Sequence, residues 1–510
     1  MRALISVYDK HGLVPFARGL ADLGVELVAS GRTATALEEG GLAVTRVEEV
    51  TGFPELLGGR VKTLHPRIHA GILARRDVED DLAALAEQDI ELFDLVCIDL
   101  YPFERATDTP GSSWEDVVEM IDVGGPALLR AAAKSHAHVV PVCRPQDYDA
   151  VLEELRERGT TSEETRRRLA AAAFATTAAY DTAIARWFQR GEEHPERLTL
   201  AFDRILELSY GENPHQRAAY YAERGARTHL LSRVEQLQGK PLSFNNLHDL
   251  SAARLLAREF DEPACVIVKH ANPCGVAISE TIEAAYEGAL ASDPVSAYGG
   301  VVVFNREVTA ALGELLASQF VEVLFAPGYD ERALEALSRK ASTRILHDAE
   351  RRAHVDSEPD YRRVLGGVLV QDRDWEVACR DGMEVVCGSV SDAQWEDIVF
   401  SWRVVKHVTS NAIVLARGRQ TIGTGAGQTS RVDAVRSAVE KARDRGHTTD
   451  GAVLASDAFF PFADGPRLAL DAGVSVLVQP GGSKRDADVV DAVSAAGAAM
   501  VFTHRRHFRH

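Results

Sequence analysis

The chain of 510 residues is short of several things at once. Its six cysteines (97, 143, 265, 274, 379 and 387) are scattered and form no C-x-x-C, which argues against a structural zinc site and for a reducing compartment. No run of about 18 apolar residues occurs, so no membrane span is expected. Met1-Arg2 leads straight into a short strand pattern and not into a long apolar h-region. No signal peptide is therefore expected, and the cytoplasm is the expected location. Cations are outnumbered: 57 Lys and Arg stand against 76 Asp and Glu, a formal net charge of −19. That balance excludes a broad electrostatic footprint for nucleic acid, so any anionic substrate must be met by local lysine and arginine clusters. What remains is ordinary globular material, 45% hydrophobic and 26% charged, long enough for about two to four domains with cores of their own.

The most concentrated stretch runs from Cys265 to Ala277. Val266-Ile267-Val268 reads as a buried strand delivering Lys269 and His270 side by side, and Asn272-Pro273 is expected to break the strand there. Neighbours on a strand point to opposite faces, so the two can share a site only where the chain turns. Together they offer a cation for developing negative charge and a base that titrates near neutrality. Taken alone, a surface lysine beside a satisfied histidine is the commoner arrangement. The surrounding pattern is what changes the odds.

Before this stretch, strands are expected at 3–7 and 25–30, each followed by a turn and a helix (13–23 and 34–39). The two turns carry Ser6 and Lys10, then Ser30, Gly31, Arg32 and Thr33, which would converge at the carboxyl edge of a parallel sheet. Gly58-Gly59-Arg60-Val61-Lys62-Thr63-Leu64-His65-Pro66 looks like an anion-binding loop. His65 and His69 have the spacing of a metal pair on a helix, but Pro66 and the lack of a third ligand count against that. A strand over 95–103 ends in Tyr101, fixed by Pro102. Asp122-Val123-Gly124-Gly125-Pro126 opens a helix over 127–135 that carries Lys134, and a strand follows at 139–142. The alternation predicts a Rossmann-like α/β sheet to about residue 150, helices over 151–192, a polar linker at 190–197 and a domain boundary after residue 195.

The second half carries Ser209-Tyr210-Gly211-Glu212-Asn213-Pro214-His215-Gln216, then Ser296-Ala297-Tyr298-Gly299-Gly300, a strand and turn around Glu322, and Gly423-Thr424-Gly425-Ala426-Gly427-Gln428-Thr429-Ser430-Arg431. The last lacks dinucleotide spacing and suits a phosphate or carboxylate better. Val405-Lys406-His407, with Asn411 nearby, echoes Val268-Lys269-His270 and Asn272 and hints at an internal repeat. Ala458-Phe459-Phe460-Pro461-Phe462 reads either as core or as a slot for flat rings. The basic tail Arg505-Arg506-His507-Phe508-Arg509-His510 reads either as solvated or as docked into a site.

These motifs resemble those of the bifunctional purine-biosynthesis family, AICAR formyltransferase/IMP cyclohydrolase, over nearly the whole chain. The match runs from the S-x-x-D-K and S-G-x-T turns through G-G-R-V-K-T-L-H-P, L-Y-P-F, I-D-x-G-G and A-A-A-K to Y-G-E-N-P-H-Q and the final F-x-H. The resemblance implies an amino-terminal cyclohydrolase domain (1–195) of methylglyoxal-synthase-like fold. It also implies a carboxy-terminal formyltransferase domain (196–510) built from two cytidine-deaminase-like units. The latter would transfer a formyl group from 10-formyltetrahydrofolate to AICAR, giving FAICAR. The former would close FAICAR to IMP with loss of water. Lys62, Tyr101, Asp122 and Lys134 are the implied ring-closing residues, with Ser6, Lys10, Ser30, Gly31, Thr33, Arg60 and Thr63 holding the ribotide. For formyl transfer the resemblance implies His270 as base, Lys269 as the cation beside it, and Asn411 as donor to the oxyanion. Tyr210, Gly299, Glu322, Arg431, Phe459, Arg506 and His510 would line the AICAR pocket, and Asp464 and Ser483 would lie towards the folate. It further implies a homodimer with the transferase site at the interface, no required metal, room for a monovalent cation such as potassium, and neither nucleic acid nor membrane as partner.

Four positions depart from the family pattern: His11 for threonine, Arg32 for glycine, Asp99 for asparagine, and Ser209 for the arginine before Tyr-Gly. Asp99 puts a carboxylate beside the expected phosphoribosyl site. Ser209 removes a cation that Arg431 or Arg506 would have to replace. Two rival readings, a non-catalytic ligand sensor and a lyase of the methylglyoxal synthase type, are disfavoured. The first conflicts with the full set of implied catalytic residues, the second with the Gly58–Pro66 loop and the whole second half.

Overall fold

The computed structural model describes residues 1–226, 231–348, 358–376 and 379–510. The chain divides into two compact units, Met1–Phe202 with Glu223–Gly225, and Asp203–Ala222 with Ala226–His510. The first is built on a five-stranded parallel sheet in the order Thr45–Arg46, Glu26–Ala29, Arg2–Ser6, Leu95–Ile98, Val140–Val142. The centres of its inner strands are apolar because both faces are covered, polar residues (Arg2, Ser6, Glu26) standing only at the strand ends. Leu4, Val28, Val96 and Ile98 join one buried cluster with Leu128 and Leu129. Ala3, Ile5, Leu27, Ala29, Leu95 and Cys97 join the other with Phe16, Leu20 and Leu152. Successive residues thus alternate between the two layers of helices. The order reverses between Arg2–Ser6 and Leu95–Ile98, and the crevice at the carboxyl ends of those strands is where such sheets take ligands.

Local boundaries differ from the sequence expectation in instructive ways. Gly31-Arg32-Thr33 is not a free turn but the first turn of helix Gly31–Glu39, with Ser30 extended at its N-cap. The strand expected to reach Phe103 stops at Ile98, and Phe103 opens helix Phe103–Asp108. The helix expected from Ala127 begins at Gly124 and ends at Lys134, which keeps Pro126 inside the first turn where its missing N–H is harmless.

The second unit holds two six-stranded sheets. The first runs Asn272–Ile278, Ala264–Lys269, Val301–Phe304, Val323–Ala326, Arg344–His347, Glu235–Gln238. The second runs Thr421–Gly425, Ile413–Ala416, Val453–Ser456, Val476–Gln479, Ala499–Phe502, Glu384–Cys387. Both have the same sequential order and the same pattern of parallel and antiparallel neighbours. Helices Phe244–Ala257 and Asp392–Val405 occupy matching places and share one core with the facing sides of both sheets, where Phe260 stacks on Phe400 at 5.5 Å. The unit is therefore an internal repeat.

The V-K-H echo that hinted at the repeat does not mark equivalent positions. Lys269 ends a strand, whereas Lys406 and His407 follow a helix and are buried on Glu259, at 3.0 and 2.7 Å. Burial opposes the Glu259 charge, but His407 and Lys406 outweigh it and hold the carboxyl at about 2. The topological counterpart of the His270-Ala271 turn is Gly418-Arg419. All four residues have positive φ (54°, 57°, 63° and 56°), the signature of a two-residue type I′ hairpin. Asn272-Pro273 does not end the strand structure either. The chain reverses and continues as Asn272–Ile278, tolerating Pro273 because this is an edge strand with a bulge between Pro273 and Gly275.

Gly275 and Gly423 occupy matching places on the edge strands, where a methyl would be driven into the carbonyl oxygens of Ala289 and Ala438 respectively. Gly275→Ala and Gly423→Ala are each expected to destabilise the second unit by about 1–3 kcal/mol, the usual cost of overpacking. Gly382→Ala, in open space, should stay within about 0.5 kcal/mol of the parent. Denaturant unfolding of the three variants measures the contrast, and three equal midpoints would contradict it.

Candidate active sites

In the first unit the strand ends bring a polar cluster together. Ser6 and Ser30 oxygens lie 3.4 Å apart. Thr33 Oγ1 accepts from Val7 N at 3.2 Å and donates to Val7 O at 3.1 Å, locking helix Gly31–Glu39 to the end of strand Arg2–Ser6. Lys10 Nζ donates to Val7 O, Tyr8 O and Thr33 Oγ1, and burial followed by Arg32 lowers its pKa. The Lys62 ammonium packs on Gly31, where any β-carbon would displace it, and pairs with Glu55 at 2.7 Å. Thr63 Oγ1 abuts Gly124.

Asp122 sits in the same crevice. Its Oδ1 accepts from Gly125 N at 2.8 Å, and Tyr180 Oη bridges Asp122 N to Met120 O. Burial pushes the Asp122 carboxyl up, with Asp99 adding to the rise. Tyr101 is exposed and meets Tyr8 edge-on at 5.6 Å. Asp99 accepts from Asp9 N at 2.9 Å, and burial raises its pKa as well. Here, then, are a cation, a phenol and a carboxyl with raised affinity for a proton, beside the hydroxyls and amides of an anion cradle.

Two expected members stand apart. Arg60 is exposed and held by Glu119, with Nε at 3.1 Å. Lys134 closes the helix that Gly124 opens, so at 1.5 Å per residue it lies about 15 Å along the axis from the Asp122 end. It lines a separate open cleft of about 710 Å³ with His69, Arg130, His136, Arg167 and Phe174.

In the second unit Lys269 Nζ donates to Tyr298 O at 3.0 Å, and His270 is exposed at the hairpin tip. Among the described residues no hydrogen bond or ion pair engages the His270 ring. The turn is held from beneath by Asp249, which accepts from Ala271 N at 2.7 Å and His270 N at 3.3 Å. Asn272 ties it sideways, donating to His270 O at 3.1 Å and accepting from Thr409 N at 2.8 Å. A cavity of about 160 Å³ adjoins the turn, lined by Lys269, His270, Asn272, Ser296, Thr424 and Lys441. Gly299 lies against Phe320 with φ 71°, and Glu322 accepts from Asn246 at 3.1 Å and pairs with Arg344 at 3.4 Å.

Thr409 leads from this turn to Asn411 and Arg431. The Asn411 amide donates to Gln428 O at 2.9 Å and Thr429 O at 3.3 Å, while its Oδ1 accepts from Arg431 at 2.7 Å. The donor implied for an oxyanion, the Asn411 amide, is thus engaged here by two backbone carbonyls. Arg431 is buried and paired with the fully buried Asp457, so replacing the cation missing at Ser209 would break an ion pair. Ser209 itself donates to Leu242 O at 3.0 Å, and Tyr210 O on the same loop accepts from Phe244 N at 3.1 Å.

The basic tail is docked: His507 N donates to Asp457 O, Arg509 N to Ser410 Oγ at 3.1 Å, and Arg509 Nη1 to His407 O at 2.6 Å. Arg506 stays exposed with its guanidinium over Phe508, whose ring also meets His510 at 5.6 Å. The aromatic string divides, Phe460 entering the core while Phe459 and Phe462 remain exposed. Arg485 lies over Phe462 at 4.9 Å and joins the loop before Asp464 to that of Ser483, whose Oγ accepts from Arg485 N. Among the described residues no group of three or more His, Cys, Asp or Glu is placed to hold a metal. Sequence reasoning missed Glu55 and Asp249, each of which acts on a named residue from a distant, unremarkable segment.

Comparison with known proteins gives two family matches, an AICARFT/IMPCHase bienzyme model over residues 132–441 and an MGS-like domain over residues 12–127. Curated relatives named "Bifunctional purine biosynthesis protein PurH" align along the full chain and 99% of their own lengths. They come from Persephonella marina (48% identical), Halalkalibacterium halodurans (46%) and Streptococcus suis (47%). A solved structure titled "Crystal structure of ForH" matches 37% of this chain and 96% of its own at 42% identity, with a TM-score of 0.34.

Because burial raises the Asp122 pKa, the folded chain holds that proton more tightly than the unfolded one. Stability is therefore lost as pH rises from the ordinary carboxylate range, about 3.9, through the raised value. Asp122→Asn removes this component, so the variant should gain stability relative to the parent between about pH 4 and pH 7. Thermal unfolding at both ends of that window tests the sign, and a relative loss would contradict it.

Proposed function

The chain belongs to the AICARFT/IMPCHase bienzyme family, and from that membership we propose how its two units divide two reactions. It is a bifunctional enzyme of purine biosynthesis that formylates AICAR, using a folate-based donor, and closes the product to IMP. We assign ring closure to residues 1–195 and formyl transfer to residues 196–510, with 10-formyltetrahydrofolate as the donor.

For ring closure, Ser6, Lys10, Ser30, Gly31, Thr33 and Thr63 hold the ribotide at the sheet edge. The carboxamide nitrogen attacks the formyl carbon, Lys62 meets the charge developing on the formyl oxygen, and Tyr101 with Asp122 moves protons as water leaves. The support is the packing of Lys62 on Gly31 and the raised Asp122 carboxyl in the same crevice. Lys134 takes no part in this reading within one chain.

For formyl transfer, the AICAR amine is conjugated to its imidazole and is a weak nucleophile. His270 takes its proton as it attacks the formyl carbon, and Lys269 stabilises the negative charge or protonates the departing folate nitrogen. The observation that carries this reading is the unengaged His270 ring on a clamped turn beside Lys269. Gly299, Glu322, Tyr210 and Phe459 border the AICAR side, Asp464 and Ser483 the folate side, and Arg506 with His510 supplies the tail's contribution. Arg506 is the exposed cation that stands in for the arginine absent at Ser209, and Arg431 orients Asn411. No step is routed through a metal or a monovalent cation. The working form is a cytoplasmic homodimer, the six free cysteines supporting the reducing compartment.

His270→Ala is expected to slow formyl transfer about 10²–10⁴-fold while AICAR affinity and closure of supplied FAICAR persist. Lys62→Ala should do the reverse, cutting ring closure about 10²–10³-fold so that FAICAR accumulates. Assaying both half-reactions on each variant tests the assignment. Full transfer by His270→Ala, or AICAR accumulating with Lys62→Ala, would overturn it.

A further inference from the structure

The two halves of the second unit share a device that their topology alone does not require. Helix Phe244–Ala257 begins at the capping box of Ser243 and Asn246, and Asp249 follows six residues after the cap. Helix Asp392–Val405 begins at the capping box of Ser391 and Gln394, and Asp397 follows six residues after its cap. Each aspartate grips both amides of its own hairpin turn. Asp249 takes His270 N at 3.3 Å and Ala271 N at 2.7 Å, and Asp397 takes Gly418 N at 3.0 Å and Arg419 N at 2.6 Å. Oδ2 takes the first amide and Oδ1 the second in both halves. The repeat is therefore aligned by its turn clamps, which set Lys269-His270-Ala271-Asn272 against Arg417-Gly418-Arg419-Gln420.

The aligned turns differ in what they carry. Gly418 meets the demand for positive φ at no steric cost and has no side chain to aim. His270 and Ala271 must hold the left-handed region against the preference of their β-carbons. The first turn thus needs its carboxylate more, and the direction of the His270 Cα–Cβ bond follows from the φ and ψ that the carboxylate enforces.

We infer that Asp249 is the positioning residue of formyl transfer. By accepting both turn amides it fixes the backbone that presents His270 to the substrate, whereas Asp397 performs the same backbone task with no catalytic side chain to present. The inference rests on the reading of His270 as the base. A misplacement of about 1 Å in a reacting group can cost about 10²-fold, so releasing the turn should appear in the chemical step more than in binding.

The test uses full-length Asp249→Asn, Asp397→Asn, His270→Ala and the double variant Asp249→Asn/His270→Ala. Asparagine keeps one acceptor oxygen and turns an NH2 towards the other amide. Asp249→Asn is expected to lower the transferase kcat by about 10- to 100-fold, with KM for AICAR within about threefold and FAICAR closure unchanged. Asp397→Asn should lower the unfolding midpoint comparably yet keep the transferase kcat within about twofold. If Asp249 acts through His270, the double variant is no slower than His270→Ala alone. Additive losses in the double variant, an unchanged kcat in Asp249→Asn, or an equal kcat loss in Asp397→Asn would each overturn the inference. Should Asp249→Asn fail to fold, Asp249→Glu takes its place, a reduced kcat supporting the inference and a parental kcat overturning it. Full transfer by His270→Ala sinks the base reading itself, a result distinct from any of these.

Discussion

A single backbone constraint underlies the second unit: two residues at positive φ must close each hairpin whose edge strand joins the halves. The amides of such a turn point away from the ladder and need acceptors. Asp249 and Asp397 supply them from helices inside the shared core, so turn geometry, helix placement and sheet register are fixed together. The edge strands then meet, with Thr421 Oγ1 accepting from Val276 N at 3.0 Å and donating to Val276 O at 3.3 Å. Gly275 and Gly423 let each strand lie close on the helix that follows it. A histidine placed on one of these turns inherits a rigid support that the fold already requires.

Charge is handled locally throughout. A chain of net charge −19 offers anions the amides, hydroxyls and few lysines gathered at its strand ends, with no broadly basic composition behind them. Several cations that looked available in the sequence are spent on structure. Arg431 neutralises the buried Asp457, and Lys406 neutralises Glu259, whose same oxygen is hydrogen-bonded to the buried His407 ring. The cations with room to act are those whose partners are carbonyls or exposed groups, Lys10, Lys62 and Lys269 among them.

Much of this was legible in the sequence, and the physical reasons are specific. The first unit's strands showed as apolar β-branched runs at regular spacing because a parallel sheet buries both faces. The Gly58–Pro66 loop and the strand ending at Lys269 stood out by composition, and the structure sets the first against Gly31 and Gly124 and the second against a small cavity. What stayed hidden depended on partners distant in the chain. Nothing about Asp249 in Leu247-His248-Asp249-Leu250 marks it as a clamp, because its role is set by a turn more than twenty residues away. The V-K-H echo hinted at a repeat that is real, but the two triplets are not equivalent positions, and the repeat lies in strand order and cap-to-aspartate spacing. Lys134 reads as one motif with Asp122 on paper, yet the length of a helix separates them.

The proposed reading gives each reaction its own site, so FAICAR released by one chain should be closed by another. Mixing a full-length chain disabled at His270 with one disabled at Lys62, then supplying AICAR and 10-formyltetrahydrofolate, tests it most directly. Followed by chromatography, neither chain alone should make IMP at an appreciable rate, while the mixture should, after a lag in which FAICAR rises. A mixture that makes no more IMP than its separate components would contradict the account.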